Sequence, residues 1–111
     1  MKEHNIVTTA LENLQRTAQI KGKWKPIDPK KADNGLDGQI ELAYHENLIK
    51  LNAEVKNNLR TIHLPLIYKL AKDQAPLIII ADHIFPKIKE ELRNNNIAYL
   101  EANGNIWLKF E

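Results

Sequence analysis

The longest uninterrupted apolar run in the chain is LIIIA at positions 77–81, directly after Pro76. A short run of this kind reads as a strand apolar on both faces. Such a strand is stable only inside a sheet that is covered on both sides. Segments of helical period lie before and after it, so the cover is expected to be helical. The predicted class is therefore α/β, a mixed sheet flanked by helices. The same run is far too short to span a membrane.

With 111 residues the chain suits one domain with one core. Hydrophobic residues make up 43% and charged residues 27%, which excludes an intrinsically disordered chain. Cysteine is absent. That rules out a disulfide scaffold, a thiol nucleophile and a thiolate metal site, and it suits a reducing compartment. No apolar signal core follows the amino terminus, so a cytoplasmic protein is expected. The net charge of +2 is compatible with nucleic acid but does not argue for it. The chain stops on an apolar, strand-like segment without a polar tail. The expectation is one domain, residues 1–111, from the N-terminal part of a longer protein.

Residues 4–20 carry Ile6, Ala10, Leu14 and Ala18 at helical spacing, with Val7 and Leu11 beside them and Gly22 just past the end. Residues 21–31 hold five lysines, Trp24, Pro26 and Pro29, a pattern for an edge strand or an extended loop. Asn34-Gly35 marks a turn. Residues 57–74 predict a helix starting near His63, with Pro65 in its first turn and Ile62, Leu66, Ile67 and Leu70 apolar. A short helix is expected over 86–95. Residues 97–100 and 106–110 flank Asn103-Gly104, a hairpin signal.

The chemistry is carried by the hairpin between these parts. Ile40 and Leu42 alternate with Gln39 and Glu41, and Leu51, Ala53 and Val55 alternate with Asn52, Glu54 and Lys56. This predicts two strands with one apolar and one polar face. A four-residue loop over 44–47 sets Ala43 opposite Leu48 and Asp37 opposite Glu54. A two-residue loop at Glu46-Asn47 sets Asp37 opposite Lys56. Either register gathers Asp37, Glu54 and Lys56, with opposed Cβ atoms about 4.5–5.5 Å apart. Two carboxylates so placed can share a magnesium ion that keeps several waters. An ammonium beside them can polarise a water or a phosphoryl group. The plain alternative is a solvated face with cross-strand ion pairs.

Asp37 followed by Glu54-Val55-Lys56 resembles the PD-(D/E)XK nuclease motif, and the element order over residues 4–81 resembles that restriction-endonuclease-like core. The resemblance implies Mg-dependent hydrolysis of DNA phosphodiesters, or a catalytically decayed relic of it. Asp37 and Glu54 would be metal ligands and Lys56 the electrophilic helper. It also implies two accessory residues, His63 from the helix after the motif and Glu12 from the first helix. Leu36 stands where the family has proline, and Gly38 follows Asp37.

The C-terminal third resembles a second family. Leu92-Arg93, the segment 96–101 (NIAYLE) and Gly104-Asn105-Ile106-Trp107 are similar to a stretch of AbiEi-type antitoxin and transcriptional-regulator proteins, with Glu101 in place of the usual Asp. This likeness implies a non-enzymatic module whose DNA-reading part lies outside these residues.

Lys21, Lys23, Lys25, Lys30 and Lys31 are candidates for phosphate-backbone contact without base readout, against the plain reading of a solvated loop. The four histidines lack zinc-site spacing. Asp82-His83 follows a buried strand, where α/β sheets place ligands, although a strand-to-helix turn explains it as well. The last strand places Ile106, Leu108 and Phe110 on one face and Trp107 on the other. It is expected at a sheet edge, docking on further chain or on a second copy, unless Trp107 packs under the 86–95 helix.

Overall fold

The computed structural model describes residues 3–27 and 36–109, with side chains from Asn5 onward. Helix α1 (Glu3–Ala18) is followed by strands β1 (Lys21–Pro26), β2 (Gly38–Tyr44) and β3 (Asn47–Asn58). A 3₁₀ turn (Thr61–His63) leads into α2 (Leu64–Asp73). Then come β4 (Leu77–His83), α3 (Pro86–Asn94), β5 (Ala98–Glu101) and β6 (Ile106–Trp107). The six strands form one sheet in chain order, β1-β2-β3-β4-β5-β6. The first three strands are an antiparallel meander, β3, β4 and β5 run parallel, and β6 returns antiparallel on β5. The fold is α/β with a mixed sheet flanked by helices.

The 77–81 run does what its composition requires. Leu77 to Ala81 are all buried. Ile78 and Ile80 face a cluster built with Ile6, Val7, Ala10 and Leu14 of α1. Ile79 and Ala81 face the opposite cluster, built with Leu64, Ile67 and Leu70 of α2 and Ile88 and Leu92 of α3. One strand thus supplies both cores, and each face excludes water through different helices. Tyr68 of α2 donates to Glu91 of α3 at 3.3 Å, joining the two helices of that layer.

Several local expectations are corrected. The first helix ends at Ala18, and Gln19 takes the left-handed conformation after it (φ 57°), while Gly22 belongs to β1. Residues 21–26 form an edge strand rather than a loop, with Pro26 at its very end, where a missing N–H costs least. Ile62 and Leu66 are exposed, because α2 turns Leu64, Ile67 and Leu70 inward and the two fall on its outer side. The last strand is only two residues long. Ile106 and Leu108 are half-buried toward α1 and Trp107 toward α3, stacked on Tyr99 at 6.3 Å, and Phe110 lies outside the described residues. Among the described residues no helix is long and apolar enough to cross a membrane.

Candidate functional site

The β2–β3 hairpin closes on His45-Glu46, with His45 in the left-handed region (φ 55°) and Tyr44 paired to Asn47. Ala43 stands opposite Leu48, and the same register ends with Gly38 opposite Ala53. This is the first of the two registers open from the sequence, closed by a two-residue loop at His45-Glu46 instead of four residues over 44–47. The regular pairing stops at the pair of Gly38 and Ala53, and Asp37 lies just before it. Asp37 N–H donates to the Ala53 carbonyl at 3.0 Å, and the Asp37 carbonyl accepts the Ile27 N–H at 3.0 Å. Gly38 fits between them under a side chain of β1: a Cβ there would stand 2.6 Å from the Lys25 carbonyl oxygen and against the Trp24 ring. This close approach is why glycine follows Asp37.

Strand alternation then sorts the hairpin into two faces. Ile40, Leu42, Leu51, Ala53 and Val55 belong to the α1 core. Gln39, Glu41, Asn52, Glu54 and Lys56 take the other side, where Gln39 donates to Asn52 at 3.1 Å. Helices α2 and α3 cover that side over β4 and β5. Among the described residues no helix covers it over β1 and β2.

Four sequence-predicted residues lie on or next to β3 where the cover begins. Glu54 is buried, 5% exposed, and its Oε1 pairs with Lys56 Nζ at 3.2 Å. A buried carboxylate needs such a partner to remain ionised at acceptable cost. Asp37 Oδ2 accepts the Val55 N–H at 2.7 Å, so the first carboxylate is fastened to the strand that bears the second. His63 lies in the turn after β3, half-buried. Its Nδ1 accepts the Arg60 N–H at 2.9 Å. Burial, followed by the charges of Lys56 and Arg60, lowers the His63 pKa from its usual 6.5. The ring is therefore neutral at neutral pH, and with Nδ1 as acceptor its proton sits on Nε2.

Glu12 does not join them. It is exposed on α1, and α1 packs on the sheet face opposite to Glu54. The accessory role implied for Glu12 therefore has no support in the fold. Among the described residues no three His, Asp or Glu side chains form a metal-ligand group, so a metal here would rest on two carboxylates and water.

The lysines of β1 do reach the same face. Lys23 stands opposite Glu41, which stands opposite Lys50. Lys25 stands opposite Gln39, which stands opposite Asn52. Lys21, Lys23, Lys25 and Lys50 are all exposed there, and Lys23, Lys25 and Lys50 line one shallow depression with Gln39, Ile40 and Glu41. Lys30 and Lys31 lie outside the described residues. Sequence reasoning missed Lys50, although its place in the alternation, two residues before Asn52, would have put it on the polar face. It also missed Glu101 as a buried charge (2% exposed), for which a strand-end glutamate gives no signal.

No family model, curated protein or solved structure matches the chain.

Proposed function

We propose that this domain acts on DNA as a PD-(D/E)XK-type hydrolase, with Asp37 and Glu54 as ligands of a magnesium ion and Lys56 assisting at the scissile phosphate. The observation that supports the reading is the hydrogen bond from the Val55 N–H to Asp37, which ties the first carboxylate to the segment between Glu54 and Lys56, with Lys56 ion-paired to Glu54 and exposed lysines on the neighbouring strands. Two adjacent hard oxygen donors fit magnesium, which binds through one or two carboxylates and keeps its other waters. When bound, the ion supplies a polarised phosphoryl oxygen and a more acidic water. The chain supplies the rest. Lys56 places positive charge beside the reacting phosphate. His63, protonated on Nε2, donates toward the same region. Lys21, Lys23, Lys25 and Lys50 hold flanking phosphates without reading bases. The compartment in this reading is the cytoplasm.

The test is cleavage of supercoiled and linear DNA by the intact protein with magnesium or manganese. Cleavage that is abolished in both Glu54→Ala and Lys56→Ala supports the reading. Cleavage that survives Glu54→Ala places the chemistry elsewhere.

A second reading is a non-enzymatic module of an AbiEi-like regulator. It is favoured by the lysine face being complete without the carboxylates. It expects salt-sensitive DNA binding with no cleavage by any DNA form and either metal. In this reading the β5–β6 hairpin contacts a second copy or further chain, and a monomer by sedimentation at high concentration removes the first of these.

A further inference from the structure

Glu101, at the end of β5, is the second buried charge among the described residues and lies outside the carboxylate pair. Its Oε1 accepts Lys89 Nζ at 2.6 Å and Asn105 Nδ2 at 2.8 Å. Its Oε2 accepts the Ile84 N–H at 2.9 Å. These three partners already satisfy a carboxylate in the interior. A fourth contact is nevertheless present: His83 Nδ1 stands 3.4 Å from Oε2. The His83 side chain is 63% exposed, with the Phe85 ring edge-on at 5.3 Å. Glu101 does not need this imidazole. The relation runs the other way, and a fixed carboxylate holds an exposed ring.

The sheet register says where that ring points. Lys56 stands opposite Ala81, Ala81 stands opposite Glu101, and Asn58 stands opposite His83. Ala81 is buried on the α2–α3 side. Lys56 and Glu101 therefore flank it on that side, and His83, two residues further along β4, leaves the sheet on the same side. Strand spacing and rise put the Lys56 and His83 backbones about 8 Å apart. With Nδ1 turned to Glu101, Nε2 is turned outward, and it can donate to a phosphate oxygen only as part of an imidazolium, whose Nδ1–H faces Glu101.

We propose that His83 is a phosphate-contacting residue of the Asp37–Glu54–Lys56 face, positioned by Glu101, and that it holds the phosphate next to the one at Lys56. This rests on reading that face as a nucleic-acid site. Lys56 and His83 grip neighbouring phosphates of one strand across the small side chain of Ala81, and Glu101 acts only through the ring it orients.

The experiment uses the intact protein, a short synthetic DNA duplex and EDTA, so that binding is read without turnover. The expected result is that both ring nitrogens of His83 show protonated ¹⁵N signals when duplex is bound, with Nε2 moving most on its addition. His83→Gln is expected to weaken binding about tenfold, the worth of one charge-assisted hydrogen bond. It is also expected to lower the salt slope by about one. Glu101→Gln removes the carboxylate facing the imidazolium and is expected to weaken binding part of the way. Should that variant not fold, His83→Gln and the wild-type spectrum decide alone. Unchanged affinity and slope in His83→Gln, or an imidazole signal that stays still while signals of the lysine face move, overturns the proposal. A wild type that binds duplex but does not cleave with magnesium removes the hydrolase reading and leaves the His83 contact standing. A wild type that binds no duplex overturns both.

Discussion

Asp37 Oδ2 accepts the main-chain N–H of Val55 at 2.7 Å, and Val55 sits between the two charged residues of the Glu54-Val55-Lys56 strand. One carboxylate therefore has two tasks. It accepts a backbone N–H of β3 where β2 begins, and in the proposed hydrolase it is a metal ligand.

The two tasks separate by substitution. Asp37→Ala removes the acceptor and leaves the Val55 N–H without it, so it should lower unfolding free energy by about 1–3 kcal/mol. Asp37→Asn keeps an acceptor oxygen and should cost less. Both remove the charge, so both should abolish metal-dependent cleavage. Urea unfolding of the two variants beside a cleavage assay checks the split. Equal destabilisation by Ala and Asn would show that the hydrogen bond is not what Asp37 contributes to the fold.

The parts of the site that could be read from the sequence are those set by local periodicity. Alternation at 39–42 and 51–56 placed Glu54 and Lys56 on one face, and the 77–81 run fixed the sheet's centre. The register stayed open because the closing turn depends on His45 adopting a positive φ, for which a non-glycine residue gives no signal. Leu66 looked like a core position because it fits a helical period, and only tertiary packing decides which side of α2 faces the sheet. Glu101 was read as a motif position rather than as a buried charge. Its partners Ile84, Lys89 and Asn105 come from three separate segments that only the fold brings together.

Acid sensitivity should trace to Glu101. Burial pushes its carboxyl up, but hydrogen bonds from Lys89, Asn105 and the Ile84 N–H, together with the Lys89 charge, bring the net value below the ordinary 4.5. A carboxyl depressed on folding stabilises the native state above its unfolded pKa, and that contribution is lost as pH falls through the folded value. Wild-type stability should therefore decline as pH drops below about 4.5. Glu101→Gln should be less stable at neutral pH and should have a flatter profile below 4.5. Urea midpoints across this range check it, and parallel profiles for the two proteins would remove Glu101 as the cause.

His63 gives a second measurement of the same sign, in the neutral range. Burial is the first cause of its lowered pKa and Lys56 the second. Lys56→Met should therefore raise the His63 pKa only part of the way toward 6.5. A depressed histidine adds stability above its unfolded pKa, and this is lost on acidification through the folded one. NMR titration of the ring in both proteins reads the shift directly. No movement would mean that Lys56 does not face His63.

Gly104 should tolerate no side chain. It lies in the turn between β5 and β6 at φ +92°, a conformation that costs L-residues dearly. A Cβ there would stand 2.9 Å from the Asn13 backbone carbon. Asn13 also donates to the Ala102 carbonyl at 2.7 Å, so the turn and α1 are tied at this point and neither can give way cheaply. Gly104→Ala should destabilise by more than about 1 kcal/mol. A variant with wild-type urea midpoint would show that the hairpin can swing away from α1.

The lysine face makes a quantitative claim about salt. Lys23 and Lys50 flank Glu41, and Lys25 lies one pair along the sheet, so removing Lys23 and Lys25 together leaves Lys50 and Lys21 in place. Each phosphate contact on duplex DNA contributes about −0.9 to the slope of log affinity against log salt. Lys23→Ala with Lys25→Ala should therefore flatten the slope by about two and weaken binding alike for unrelated sequences, because backbone contacts carry no base information. These side chains are exposed, so the double variant should fold with near-wild-type stability. Affinities measured over a salt series on two unrelated duplexes decide it. A change confined to one sequence would mean that the face reads bases, and an unchanged slope would mean that DNA binds the domain elsewhere.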